Sequence, residues 1–115
     1  MPNRNYLRGR IKEWECQEIL EKNGYSTIRA SGSHGVFDVV AIDAITVRMI
    51  QCKREKDSKK KIEDPDKAYP EDAQKIRETK VPENVQRELW IWIDRVGWKK
   101  YRLHSAEKCT YWKLI

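Results

Sequence analysis

Asp38 is followed, across a short predicted hairpin, by Gln51-Cys52-Lys53. This order sets a carboxylate, an amide and an amine on two adjoining strands. Gln51 and Lys53 are two residues apart, so on a strand their side chains leave the same face. Mg²⁺ takes oxygen ligands and keeps several of its waters. Asp38 offers a carboxylate oxygen, Gln51 an amide oxygen and Cys52 a backbone carbonyl. Lys53 beside such an ion could orient or deprotonate an attacking water and steady charge developing on a phosphate. The competing reading of Asp38 is a turn residue or an internal salt bridge with Lys53. Charged groups at the end of otherwise apolar strands are costly to bury unless paired or metal-bound. Glu13, upstream on a predicted helix, is a second carboxylate. It reads as a metal ligand through water, as an acid that organises Lys53, or as a solvated helix edge beside Arg10 and Lys12.

Around this cluster the sequence is rich in groups that suit phosphates. Arg8, Arg10 and Arg29 carry guanidinium forks that match phosphate oxygens in pairs. Ser31 and Ser33, with the amides of Gly32 and Gly35, could cradle a phosphate. Lys56, Lys59, Lys60 and Lys61 would add attraction that is independent of base sequence and sensitive to salt. Taken singly, each also reads as an ordinary solvated surface group, and His34 as a solvated loop histidine. The whole chain agrees with the sum of them: it has 115 residues, a formal net charge of +6 and a pI near 9.3. That balance favours a polyanion, of which nucleic acid is the usual one.

The elements that must position these residues follow from periodicity. Tyr6 to Asn23 is predicted as a helix, stopped by Gly24. Gly9, Glu13, Cys16 and Leu20 share one side of it, and Leu7, Ile11 and Trp14 form a second apolar stripe. One side would face a sheet and the other a partner subunit or the C-terminal segment. Tyr25–Ala30, Val36–Ile42 and Ile45–Lys53 are predicted strands, the last two joined at Asp43-Ala44 and apolar on both faces, as central strands are. Arg54 to Asp66 is read as an exposed, flexible excursion. Pro70-Glu71-Asp72 opens a helix running to about Lys80, with its acids at the positive end of the dipole. Glu88–Asp94 and Trp98–Leu103 are strands joined at Arg95-Val96-Gly97. The tail, 105–115, is expected to hold a helical turn and a short extended end. Among the tryptophans, Trp90 and Trp92 are expected in core or interface, and Trp98 and Trp112 in packing rather than on bases.

The length suits one domain spanning 1–115, and the order of elements an α/β sandwich with a mixed sheet. No apolar run approaches the ~20 residues that cross a bilayer, and no signal peptide is read in the polar N-terminus. Three widely spaced cysteines (Cys16, Cys52, Cys109) show neither metal spacing nor a disulfide framework. A reducing cytoplasm is the expected compartment, prokaryotic, archaeal or that of a virus-infected cell.

Several stretches together resemble a known pattern: Arg8-Gly9 through Glu13, EILEKNGY at Glu18–Tyr25, Ile28-Arg29-Ala30-Ser31-Gly32-Ser33, Phe37-Asp38-Val39-Val40-Ala41 and Ile50-Gln51-Cys52-Lys53. The chain is similar to the archaeal-type Holliday junction resolvases of the PD-(D/E)XK nuclease superfamily. The likeness is strongest over the first half and looser at WIWID and GWKKYRL. It implies a restriction-endonuclease-like mixed β-sheet flanked by helices. It also implies a homodimer that binds four-way DNA junctions and makes paired incisions with Mg²⁺ or Mn²⁺. By the resemblance the catalytic set falls on Glu13, Asp38, Gln51 and Lys53, and phosphate contacts fall on Arg29 with Ser31 or Ser33. Two departures are visible. Phe37 stands where the superfamily name has proline. Gln51 stands where these resolvases carry glutamate, as in the QXK sites of Mrr-type and VRR-type nucleases. A nuclease on duplex or flap DNA, or a DNA-binding module without activity, are the alternatives this glutamine keeps open.

Overall fold

The structure is a computed structural model, described over residues 4–30 and 35–115, with side chains from residue 9 onward. Its elements in order are α1 (Arg4–Lys22), β1 (Ser26–Arg29), β2 (Val39–Ile42), β3 (Val47–Glu55), α2 (Pro65–Ala68), α3 (Pro70–Glu78), β4 (Val85–Ile93), β5 (Gly97–Ala106) and β6 (Cys109–Leu114). The described strands make one six-stranded sheet in sequence order. Only β3 and β4 run parallel, because only they are joined by a helical crossover; the other neighbours are antiparallel. The expected mixed sheet flanked by helices is what forms.

Each face of the sheet has its own core. On one side Cys16 and Leu20 of α1 pack with Val39, Ala41, Ile50 and Trp90. Phe37, Ile62, Ile76, Leu89, Ile91, Ile93, Tyr101 and Leu103 fill the other. Alternation explains the split, since Trp90 lies between Leu89 and Ile91 on β4 and must face the opposite way. Glu88 is fully buried, yet its carboxylate accepts from Arg48 at 2.7 and 2.8 Å, from Arg102 at 3.2 Å and from Trp90 Nε1 at 2.8 Å. A buried carboxylate is costly unless donors satisfy it, as these do.

Local signals set the element ends. Gly24 has φ +90°, and the Tyr25 and Gly24 amides donate back to Leu20 and Glu21, closing α1 in a glycine cap. Asp43 accepts from the Ile45 and Thr46 amides at 2.8 and 2.7 Å and so turns β2 into β3. Pro70 begins α3 as expected.

Three expectations are corrected. The 54–66 segment is no free excursion: Ile62 is 1% exposed in the core, Pro65 is buried, and Asp64 caps the short helix α2. Its lysines hid one apolar anchor. The tail has no helical turn; β5 extends to Ala106 and β6 pairs back on it from Cys109. Tyr111 and Trp112 alternate there, with Trp112 half-buried against the core and Tyr111 stacked on His104. The strand expected from Val36 begins only at Val39, because the chain bends at Asp38.

Candidate active site

The bend at Asp38 builds the site. Val39 is the register partner of Ile50, and the Asp38 N–H also donates to the Ile50 carbonyl at 2.8 Å. Two residues of one strand thus face one residue of the other, a bulge-like kink that re-aims a side chain. The Asp38 carboxylate (Oδ2) accepts from the Cys52 N–H at 2.8 Å. Burial pushes its pKa up. The Cys52 amide and the Lys53 charge oppose the rise, and Asp72 adds to it.

Gln51 and Lys53 sit opposite Leu89 and Ile91 on β4, so their side chains leave on the α3 face of the sheet. There both meet Asp72, near the start of α3. Gln51 Nε2 donates to Asp72 Oδ1 at 2.9 Å, and Lys53 Nζ lies 3.0 Å from Asp72 Oδ2. With the amide nitrogen so committed, Gln51 Oε1 is left buried without a hydrogen-bond partner. From the sequence, Asp72 is legible only as a helix-start acid, and no signal in the chain foretells its contact with β3.

Glu13 approaches from α1, on the side where Cys52 packs near Cys16. Burial and the nearby Asp38 charge raise its pKa against the pull of Arg29 and Arg10. Arg29 Nη1 lies 3.4 Å from Glu13 Oε1. Glu13 is therefore paired with Arg29, while Lys53 is paired with Asp72. Neither the salt bridge of Lys53 with Asp38 nor an organising contact from Glu13 to Lys53 is what forms. The Cys52 thiol is pushed well up by its contact with Cys16, by burial and by the two carboxylates, which keeps it inert.

The basic residues divide. Arg10 and Arg29 both place their guanidinium groups over the Trp14 ring, at 5.5 and 5.8 Å, next to Glu13. Lys56, Lys59 and Lys60 are exposed on the loop that continues β3, and Lys60 pairs with Glu55 at 3.3 Å. The side chain of Arg8, and Ser31 and Ser33, lie outside the described residues.

Among the described residues no three His, Cys, Asp or Glu side chains gather into a metal-binding set. A Mg²⁺ site does not need three, since one or two carboxylates with carbonyl-type oxygens and waters suffice. The orphaned amide oxygen of Gln51 and the carboxylate of Asp38, anchored on the N–H of the next residue, Cys52, are donors of the kind such an ion takes.

A bent strand end carrying an aspartate, a QXK strand beside it and a helix across them define the restriction-endonuclease-like nuclease class. The structure of Hjc from Archaeoglobus fulgidus, a Holliday junction resolvase from an archaeal hyperthermophile, matches with a TM-score of 0.60. The match is 18% identical and covers 93% of this chain and 84% of that one, which establishes the fold. None of the curated proteins matches the sequence. The family described as archaeal Holliday junction resolvase (Hjc) matches residues 4–108, and the chain belongs to that family of junction-resolving nucleases.

Proposed function

We propose that this chain resolves four-way DNA junctions by divalent-metal-dependent phosphodiester hydrolysis at the Asp38–Gln51–Lys53 cluster. The reading is supported by Asp38, fixed on the Cys52 N–H at 2.8 Å, and by the Gln51 amide oxygen on the same strand as Cys52, buried without a partner. Asp38, Gln51 and the Cys52 carbonyl would hold Mg²⁺ or Mn²⁺, with Glu13 joining through water. The Cys52 carbonyl leaves β3 on the same side as its N–H, towards Asp38. The bound ion would supply Lewis acidity and lower the pKa of a coordinated water.

The chain's own residues do the rest. Lys53 orients the attacking water and steadies the charge that grows on the phosphate oxygens. Arg29 and Arg10, stacked on Trp14, present guanidinium groups to the phosphates flanking the cut. Lys56, Lys59 and Lys60 draw the backbone in without regard to sequence, and Arg8, Ser31 and Ser33 are assigned to phosphate contact on sequence grounds alone. A homodimer places two such sites on opposed strands of one junction. Exposed Ile11 and Trp14, 44% and 49% accessible, make the α1 stripe a candidate dimer face.

The test compares a four-way junction with linear duplex of the same arms, in Mg²⁺, Mn²⁺ or EDTA. Paired, symmetric nicks on the junction with metal alone are expected. Equal cutting of the duplex would point instead to the QXK nucleases of broader substrate range. Binding without cutting in every metal would make the chain a DNA-binding module.

A further inference from the structure

Asp72 has no role in the reading above, yet it is the one carboxylate among the described residues that touches both Gln51 and Lys53, at 2.9 and 3.0 Å. Its place is rigid. Ala73 and Ile76, on the same helix, are 1% and 0% exposed in the core and fix the first turn of α3 against the sheet. A generic helix-start acid would not need this contact. Neighbouring Glu71 satisfies the helix dipole from an exposed position.

Charge decides what Asp72 could be for. Gln51 is neutral. Asp38 and Glu13 are negative, while Lys53, Arg10 and Arg29 (3.4 Å from Glu13) are positive. Without Asp72 the cluster carries a net positive charge and repels a divalent cation. With Asp72 the charges balance, and the added anion sits against the amide whose oxygen lacks a partner.

We propose that Asp72 supplies, from α3, the negative charge that a glutamine in the QXK strand does not give. It is a member of the metal site that in the cation-free chain is held by Gln51 and Lys53. The inference rests on the metal-site reading above and extends it to a residue from a different element.

The test is Mn²⁺ binding to the DNA-free protein, followed by calorimetry and by the Mn²⁺ paramagnetic resonance signal. Asp72→Asn is expected to weaken Mn²⁺ binding by about ten-fold or more, within the roughly 10–100-fold range for residues that support a site. Asp72→Glu should bind within a few-fold of the wild type, and Gln51→Glu added to Asp72→Asn should restore affinity. Circular dichroism identifies any variant that has lost its fold, and the Asp72→Glu comparison then carries the test, since weak binding there in a folded chain would refute it. Unchanged affinity in folded Asp72→Asn, where Asp38→Asn no longer binds Mn²⁺, would overturn this inference alone and leave Asp72 as a positioning residue for Lys53. A wild type that binds no Mn²⁺ would overturn the metal-site reading, and this inference with it.

Discussion

Replacing Gln51 with glutamate is the perturbation whose sign the geometry fixes best. The wild-type amide donates to Asp72 at 2.9 Å. A carboxylate put there exchanges an attraction for a repulsion. At that separation, with an effective dielectric of about 20, two unit charges repel by about 6 kcal/mol. Asp72 and Lys53 are 19% and 33% exposed, and Lys53 at 3.0 Å answers one of the two charges. Screening and this counter-charge leave about 1–2 kcal/mol of destabilisation. For a chain of this size that lowers Tm by about 4–8 °C in EDTA. A divalent cation reverses the sign, because two acids with Asp38 now surround a positive charge. The assay is a thermal melt of wild type and Gln51→Glu, each in EDTA and in saturating Mg²⁺. The variant should melt lower in EDTA and gain more from Mg²⁺ than the wild type does, with nuclease activity retained or raised. A variant that melts with the wild type in EDTA would refute the Gln51–Asp72 contact, and one that gains nothing from Mg²⁺ would refute its link to a cation.

Two further outcomes follow from the same site. Burial raises the pKa of Asp38, so the folded chain takes up that proton before the unfolded chain does. The ionised group therefore costs stability at neutral pH, and the cost disappears as pH falls through the raised pKa. Asp38→Asn should be the more stable protein at pH 7 in EDTA, with the gap closing on acidification; denaturant melts across pH measure it, and a gap that widens towards acid would contradict the assignment. Lys59→Ala with Lys60→Ala should weaken binding to every DNA sequence alike. For each phosphate these lysines neutralise, the double variant should flatten the plot of log affinity against log salt by about 0.9, and an unchanged slope would remove both from the interface.

The parts of this fold that sequence revealed are those governed by local rules. Gly24 after a helical period, Asp43 in a two-strand turn and Pro70 before two acids each set an element end where the structure has it. The QXK spacing placed Gln51 and Lys53 on one face because strand alternation allows nothing else. What stayed hidden depends on distant contacts. Ile62 lies among lysines and acids, so its burial becomes visible only once Lys99 and Tyr101 are seen to reach its carbonyl. The β6 hairpin lacks a glycine or proline to announce its turn, and its half-buried Trp112 is stabilised by an Asp66 carboxylate 46 residues away. Asp72 is the instructive case for function. A helix-start aspartate has a sufficient local reason to be present, and that reason masked its second one.

Whether the cluster at Asp38 and Lys53 performs the cut decides the rest. The most direct measurement is cleavage of a four-way junction by Asp38→Ala and Lys53→Ala beside wild type, in Mg²⁺, with junction affinity recorded on the same samples in EDTA. Both variants should bind the junction nearly as the wild type does and leave it uncut. Wild-type cleavage by both variants would show that the chemistry takes place elsewhere on the molecule.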